Sequence, residues 1–180
     1  MRYESHELEE KRWRGSQKQR LLSPQMLSLV ESRMICGFVP VETDSNETLL
    51  WILRHKLGLT GAKAACERGD CGLCTVLMDC VPVKSCLVLA VEAGDREITT
   101  IEGIAKDGVL SPIQRKFIEH RALQCGFCTP AAVLTAEALL KRNPSPTRDE
   151  VIEAIEGVLC RCTGYRQVVD AILDAAEMKP

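Results

Sequence analysis

"CERGDCGLC", residues 66–74, places Cys66, Cys71 and Cys74 at C-x4-C-x2-C, and Cys86 follows with eleven residues between it and Cys74. Thiolates that converge on a small inorganic centre need a loop that wraps it closely. Gly69 and Gly72 suit such a loop, because glycine takes up backbone conformations that other residues avoid. The flanks place this loop in a small sheet. "CTVLMDCVPVKSCLVLAVEA" reads as two β-rich runs folded back at Asp79 to Pro82, and "MICGFVPVET" alternates around a Cys36-Gly37 turn like a hairpin of two short strands. "EITTIEGIA" offers a last strand. "SNETLLWILRHKLGL" carries cap candidates Ser45 and Asn46 ahead of Leu49, Leu50, Ile52 and Leu53, so a helix is expected there. Residues 34–107 therefore read as a mixed α+β domain.

From residue 108 the strand signals stop and helix punctuation becomes dense. Ser111 caps and Pro112 opens a helix whose inner face includes Ile113, Phe117 and Ile118. Thr129 and Pro130 repeat that start for a second, which ends at Asn143-Pro144. Thr147 and Glu150 have capping-box spacing for a third, with Val151, Ile152 and Ile155 inward, and "KRNPSPTRDE" is the exposed loop before it. A fourth runs from about Tyr165 and buries Val168, Val169, Ile172 and Leu173. Residues 108–180 are thus expected to form a four-helix domain. Residues 1–33 are charge-rich and read as a tail or partner-docking extension, although "SPQMLSLVESRM" could form a short amphipathic helix.

Composition narrows the function. Net charge is −2 with both signs well represented, and aromatic residues are 4 % of the chain, so neither a nucleic-acid surface nor base stacking is indicated. No apolar run approaches the roughly 20 residues of a membrane span, and "MRYESHELEEKRWRG" has no hydrophobic segment following a basic one, so a cytoplasmic protein is expected. In a reducing compartment, ten clustered cysteines are metal ligands more readily than disulfides.

The cysteines sort into two sets of four. Cys66, Cys71, Cys74 and Cys86 have the ligand pattern of a plant-type [2Fe–2S] ferredoxin, which a zinc site built from two C-x2-C pairs does not explain. The second set is Cys125 and Cys128 in "QCGFC" with Cys160 and Cys162 in "LCRC". Two thiols one residue apart point to nearly opposite faces of a helix, so Cys160 and Cys162 belong on a loop or helix end. Both pairs lie beside expected helix termini, whose dipole and free N–H groups favour thiolates. Spacing alone leaves iron and zinc both open for this set.

The stretches "LGLTGAKAACERGDCGLCTVLMDCVPVKSCL", "TTIEGIAKDGVLSPIQRKFIEHRALQCGFCTPA" and "NPSPTRDEVIEAIEGVLCRCTGY" closely resemble the small iron–sulfur subunit of the xanthine oxidase family of molybdenum hydroxylases. The resemblance covers about residues 34–175 and runs in order through both cysteine sets. It implies a β-grasp ferredoxin-like domain followed by a four-helix domain, each holding one [2Fe–2S] cluster. It also implies an electron-transfer subunit with no catalytic residues of its own. Molybdopterin is then expected on a large partner subunit and FAD on a medium one. Electrons would run from the molybdenum site through the Cys125, Cys128, Cys160, Cys162 cluster to the Cys66, Cys71, Cys74, Cys86 cluster, with Gln124 and Cys162 as the contacts to the pterin. A stand-alone two-cluster ferredoxin or redox sensor is the alternative.

Several residues depart from the family pattern or fall outside it. Ala65 and Ala131 stand where glycine is common, Val158 replaces a frequent asparagine, and Cys36 and Cys80 occupy turn positions without a cluster role. His6, His55 and His120 show no ligand spacing and are expected on solvated faces. The Tyr165 hydroxyl is expected to pin the loop after Cys162.

Overall fold

Strands with one apolar face need a partner layer, and a short helix and its neighbouring loops supply it here. In the computed structural model, which describes residues 28–34 and 37–178, β1 (Ser28–Met34) pairs antiparallel with β2 (Gly37–Thr43) and runs parallel to β5 (Glu97–Thr99). β3 (Thr75–Met78) pairs antiparallel with β5 and with β4 (Val81–Lys84), which gives the order β2-β1-β5-β3-β4. β1 corrects the helix expected over "SPQMLSLVESRM". Its short apolar pattern is ambiguous between periods, and seven-residue pairing with β2 decides for the strand. Cys36, His6 and most of the N-terminal extension lie outside the described residues.

The β3–β4 turn is tighter than Asp79 to Pro82. Asp79 and Cys80 carry it with φ of 51° and 66°, and Pro82 already lies in the edge strand β4, where a missing N–H is tolerated. β5 is short, and Ile101–Gly103 turns out of it as a 3-10 helix.

The helix of the first domain starts later than Ser45 or Asn46. Thr48 is the cap, its side chain accepting from Trp51 N, ahead of α1 (Leu49–Trp51). It continues as a π-helical stretch over Ile52–Lys56, closed by Leu57 N donating to Ile52 O. Leu49, Leu50 and Leu53 from it meet Val76, Ile98, Cys74 and Cys86 in one core.

The remaining helices are α2 (Pro112–Glu119), α3 (Thr129–Arg142), α4 (Arg148–Ile155) and α5 (Arg166–Glu177). Ser111 with Gln114 and Thr147 with Glu150 both close capping boxes. The expected cap Thr129 is instead the first helical residue, and Cys128 occupies the cap position. α3 is buried nearly all round, Ala131 to Ala136 without a break, because it lies between the other helices and β3. Ile113 and Phe117 are buried as expected, but Ile118 is 57 % exposed and Ile152 is 46 % exposed. Each sits beside a buried neighbour at the margin of a face already filled, by Phe117 and by Val151 with Ile155. Leu173 is half-buried against the core that Val168, Val169 and Ile172 enter.

One contact ties the segment after α1 to the 3-10 turn after β5, and a second ties α2 to α5. Glu102 Oε1 accepts from Gly61 N (2.8 Å), and a Cβ at Gly61 would stand 2.2 Å from Ile101 Cγ2, so only glycine allows this approach. His120, expected on a solvated face, is instead half-buried: Nε2 lies 2.8 Å from Asp174 Oδ2, and Lys116 Nζ is 3.0 Å from the same oxygen. His120 and Lys116 hold the Asp174 carboxyl below its ordinary value of 3.8. A depressed carboxylate stabilises the fold above its unfolded pKa and ceases to do so as pH falls through its folded one. Asp174→Asn is therefore expected to lower the thermal midpoint at pH 7, with the gap from the parent closing below about pH 4. A midpoint series across pH checks this.

Candidate metal centres

A loop that must aim several N–H groups at sulfur has to reverse direction more than once. Residues 66–74 do so with Glu67, Gly69 and Gly72 at φ of 50°, 88° and 67°. The result brings Cys71 to Cys66, and the turn after β4 brings Cys86 to Cys74. Cys71 N donates to Cys66 Sγ (3.4 Å), and the N–H groups of Arg68 and Asp70 point at the same sulfur. The Arg68 and Cys71 N–H groups are the main reason that the Cys66 thiol falls to about 6. Cys86 is pushed up to about 11, first by burial and then by the neighbouring Cys74 sulfur, with Gly69 N–H opposing. Ser85 Oγ, fully buried, donates to Cys74 O (2.6 Å) and ties the return strand to the loop.

In the helical domain, Cys125 and Cys128 precede α3, and Cys160 and Cys162 lie on the loop before α5. Cys162 Sγ is 3.5 Å from Cys125 Sγ, while Cys160 is the neighbour of Cys128. Burial and then the Cys160 sulfur push the Cys128 thiol up to about 12, so the helix terminus expected to favour its thiolate is outweighed by desolvation. Cys160 is driven the other way. Burial opposes ionisation, but Thr163 Oγ1 at 3.1 Å and the N–H groups of Thr163 and Cys162 bring it down to about 7. Phe127 N–H lowers Cys125, and the Cys125 sulfur raises Cys162.

Both sets share a division into pairs: Cys66 with Cys71, Cys74 with Cys86, Cys125 with Cys162, and Cys128 with Cys160. Among the described residues no three potential ligands converge as they would around one ion. A two-iron cluster asks for two thiolates on each iron, and paired sulfurs with N–H groups aimed at them fit that requirement. Thr129 Oγ1, beside Cys128, is also buried without a hydrogen-bond partner among the described residues. All nine described cysteines are free. Gln124, Cys125 and Cys162 are exposed, and exposed Leu123, Phe127 and Leu159 lie beside them in sequence.

Three features near the sulfurs were not read from the sequence. Tyr165 acts on the segment ahead of Cys160 rather than the loop after Cys162: its hydroxyl accepts from Cys160 N (2.7 Å) and donates to Val158 O (3.2 Å). Its own φ of 67° turns the chain into α5. Leu159 N donates to Cys71 O (2.8 Å), a backbone bond between the two cysteine loops that carries no side-chain signal. Lys84 reaches back to Gly69 O. Neither Ala65 nor Ala131 has a positive φ, so the replaced glycines leave no strain there.

The chain matches two protein families in order. Residues 34–99 match the "2Fe-2S iron-sulfur cluster binding domain" family and residues 100–173 the "[2Fe-2S] binding domain" family. It is 54 % identical to the nicotine 6-hydroxylase small subunit of Paenarthrobacter nicotinovorans, over 75 % of this chain and 81 % of that one. It is 47 % identical to the nicotinate dehydrogenase small FeS subunit of Eubacterium barkeri, over 76 % and 87 %. Its structure is similar to that of quinoline 2-oxidoreductase from Pseudomonas putida 86, with TM-score 0.80 and 44 % identity over 82 % of this chain and 93 % of that one.

The hydroxyl of Tyr165 is the support that distinguishes the second set. Tyr165→Phe leaves Cys160 N–H without its acceptor, a loss of about 1–3 kcal/mol where the donor stays buried. The Cys160 thiol is then expected to react faster with a thiol reagent than in the parent, with Cys66 unchanged, as followed by mass spectrometry of the labelled peptides.

Proposed function

The chain belongs to the small iron–sulfur subunits of the xanthine oxidase family of molybdenum hydroxylases, and from that membership we propose which residues hold its two clusters and how it is coupled to its partners. Cys66, Cys71, Cys74 and Cys86 hold the first [2Fe–2S] cluster, in a β-grasp ferredoxin-like domain. Cys125, Cys128, Cys160 and Cys162 hold the second, in a four-helix domain. The protein is an electron-transfer subunit of an oxidoreductase complex that contains a large molybdenum subunit. Each cluster supplies reversible one-electron storage; substrate chemistry belongs to the partner.

The residues of this chain have three tasks. They hold the sulfurs in pairs, they direct N–H groups at those sulfurs so that added negative charge is stabilised, and they keep the two sites at a fixed separation. The observation that carries the relay reading is the Leu159 N–H to Cys71 C=O bond. Cys71 and Cys160, one residue from Leu159, belong to different sets, so this bond gives a short bonded route between them. A Cβ on Gly72 would stand 1.9 Å from Gly157 O, which shows how closely the two loops approach.

The outward side of the second set supports a docking direction. Gln124 and Cys162 are exposed beside Leu123, Phe127 and Leu159, an apolar surround that a partner subunit would cover. In this reading Gln124 and Cys162 contact the molybdopterin of the large subunit, and electrons leave from the first set to FAD on a medium subunit. The complex works in the cytoplasm; no helix among the described residues is long and apolar enough to cross a membrane. The relatives described above act, by their names, on nicotine, nicotinate and quinoline, so the class of substrate proposed for the complex is a nitrogen heteroaromatic ring.

Two substitutions test the assignment. In the purified complex, about four irons per chain and two reduced [2Fe–2S] resonances are expected. Cys66→Ser should remove one resonance and Cys160→Ser the other; loss of the same resonance in both would overturn the grouping. Gly72→Ala should disturb the Cys71–Leu159 bond, with a cost of about 1–2 kcal/mol from the positive φ alone. Rapid-freeze resonance after substrate reduction, read on the fraction of protein that keeps both signals, should then show slowed transfer between them.

A further inference from the structure

Lys84 is the last residue of edge strand β4, and the neighbouring positions Cys74 and Cys86 belong to the first thiolate set. Two residues before Cys86, at the start of the turn closed by Leu87 N on Lys84 O, it is half-buried, and its Nζ donates to Gly69 O at 2.5 Å. Gly69 lies inside the loop between Cys66 and Cys71, and its N–H points at Cys86 Sγ. Lys84 therefore holds the Gly69–Asp70 peptide, whose own N–H, that of Asp70, points at Cys66 Sγ, and braces the residue whose N–H serves Cys86.

The charges around this loop are unevenly matched. Arg68, on the same loop, is neutralised by Asp70, with Nε 2.5 Å from Oδ2. Lys84 has no carboxylate partner among the described residues. Four thiolates on two irons leave a net negative site, and reduction adds one more negative charge. A fixed cation beside that site favours the reduced state, and a partly buried position weakens solvent screening of the attraction.

We infer that Lys84 is a positioning residue that raises the midpoint potential of the first cluster, both by its charge and by fixing the Gly69–Asp70 peptide, whose N–H faces Cys66 Sγ. It rests on the assignment of Cys66, Cys71, Cys74 and Cys86 to that cluster. The effect is directional: an electron arriving from the helical domain is drawn toward the sheet domain.

The test is a potentiometric titration of the intact complex followed by electron paramagnetic resonance, with each resonance assigned through Cys66→Ser and Cys160→Ser. Lys84→Met and Lys84→Gln are expected to move the first cluster's midpoint to more negative potential and leave the second in place. Lys84→Arg should stay near the parent. Lys84→Gln keeps a donor for Gly69 O and decides the matter if Lys84→Met loses iron. An unchanged midpoint in Lys84→Gln, an equal shift of both clusters, or a fall in Lys84→Arg as large as in Lys84→Gln would overturn the inference. Failure of the underlying assignment looks different: the first resonance would survive Cys66→Ser.

Discussion

A single backbone hydrogen bond, Leu159 N–H to Cys71 C=O, is the constraint on which the arrangement of this molecule turns. It joins a loop of the sheet domain to a loop of the helical domain, each carrying a cysteine set. For it to form, the chain at residue 72 must lie against Gly157 O, closer than any Cβ permits. The apolar core respects the same junction. Cys71 and Leu73 pack with Ile113, Phe117 and Val158 of the helical domain, while Cys74 and Cys86 pack with Leu53, Val76 and Ile98 beneath the sheet. The first set therefore straddles two cores, one pair of sulfurs in each, and neither domain can shift without moving one pair against the other.

Within each site, burial and hydrogen bonding pull the thiols in opposite directions. Cys66 and Cys160 collect N–H or hydroxyl donors and are easily ionised, whereas Cys86 and Cys128 are buried and resist it. In the second set, the pair near α3 and the core, Cys128 with Cys160, is supported by Thr163 and by the Tyr165 hydroxyl on the Cys160 amide. The other pair, Cys125 with Cys162, faces outward. A site buried on one side and open on the other suits a relay, since it limits solvent at one sulfur pair and offers the other to a partner.

Much of this was legible in the sequence for reasons of local chemistry. The spacing of Cys66, Cys71 and Cys74 implies a tight loop, and Gly69 and Gly72 take the positive φ that it needs. Ser111 with Pro112, and Thr147 with Glu150, mark helix starts because a cap and its partners lie within four residues. Where reading failed, the competing term was tertiary. The strand at Ser28–Met34 exists because β2 and β5 pair with it, and its own apolar residues do not choose between a helix and a strand. Ile118 and Ile152 are apolar but exposed, because periodicity gives the face and not its width. His120 is drawn into a contact with Asp174, 54 residues away, which no local pattern encodes.

The sequence by itself determined the sheet-then-helix order and the family, because turn residues, caps and cysteine spacing are short-range properties. The tertiary structure alone decided which sulfur sits beside which, that Tyr165 serves Cys160, and that Lys84 reaches Gly69. It also decided that the two loops meet through Cys71 and Leu159. These depend on backbone groups and on residues far apart in the chain, and a carbonyl oxygen is the same atom at every position until folding places a donor in front of it.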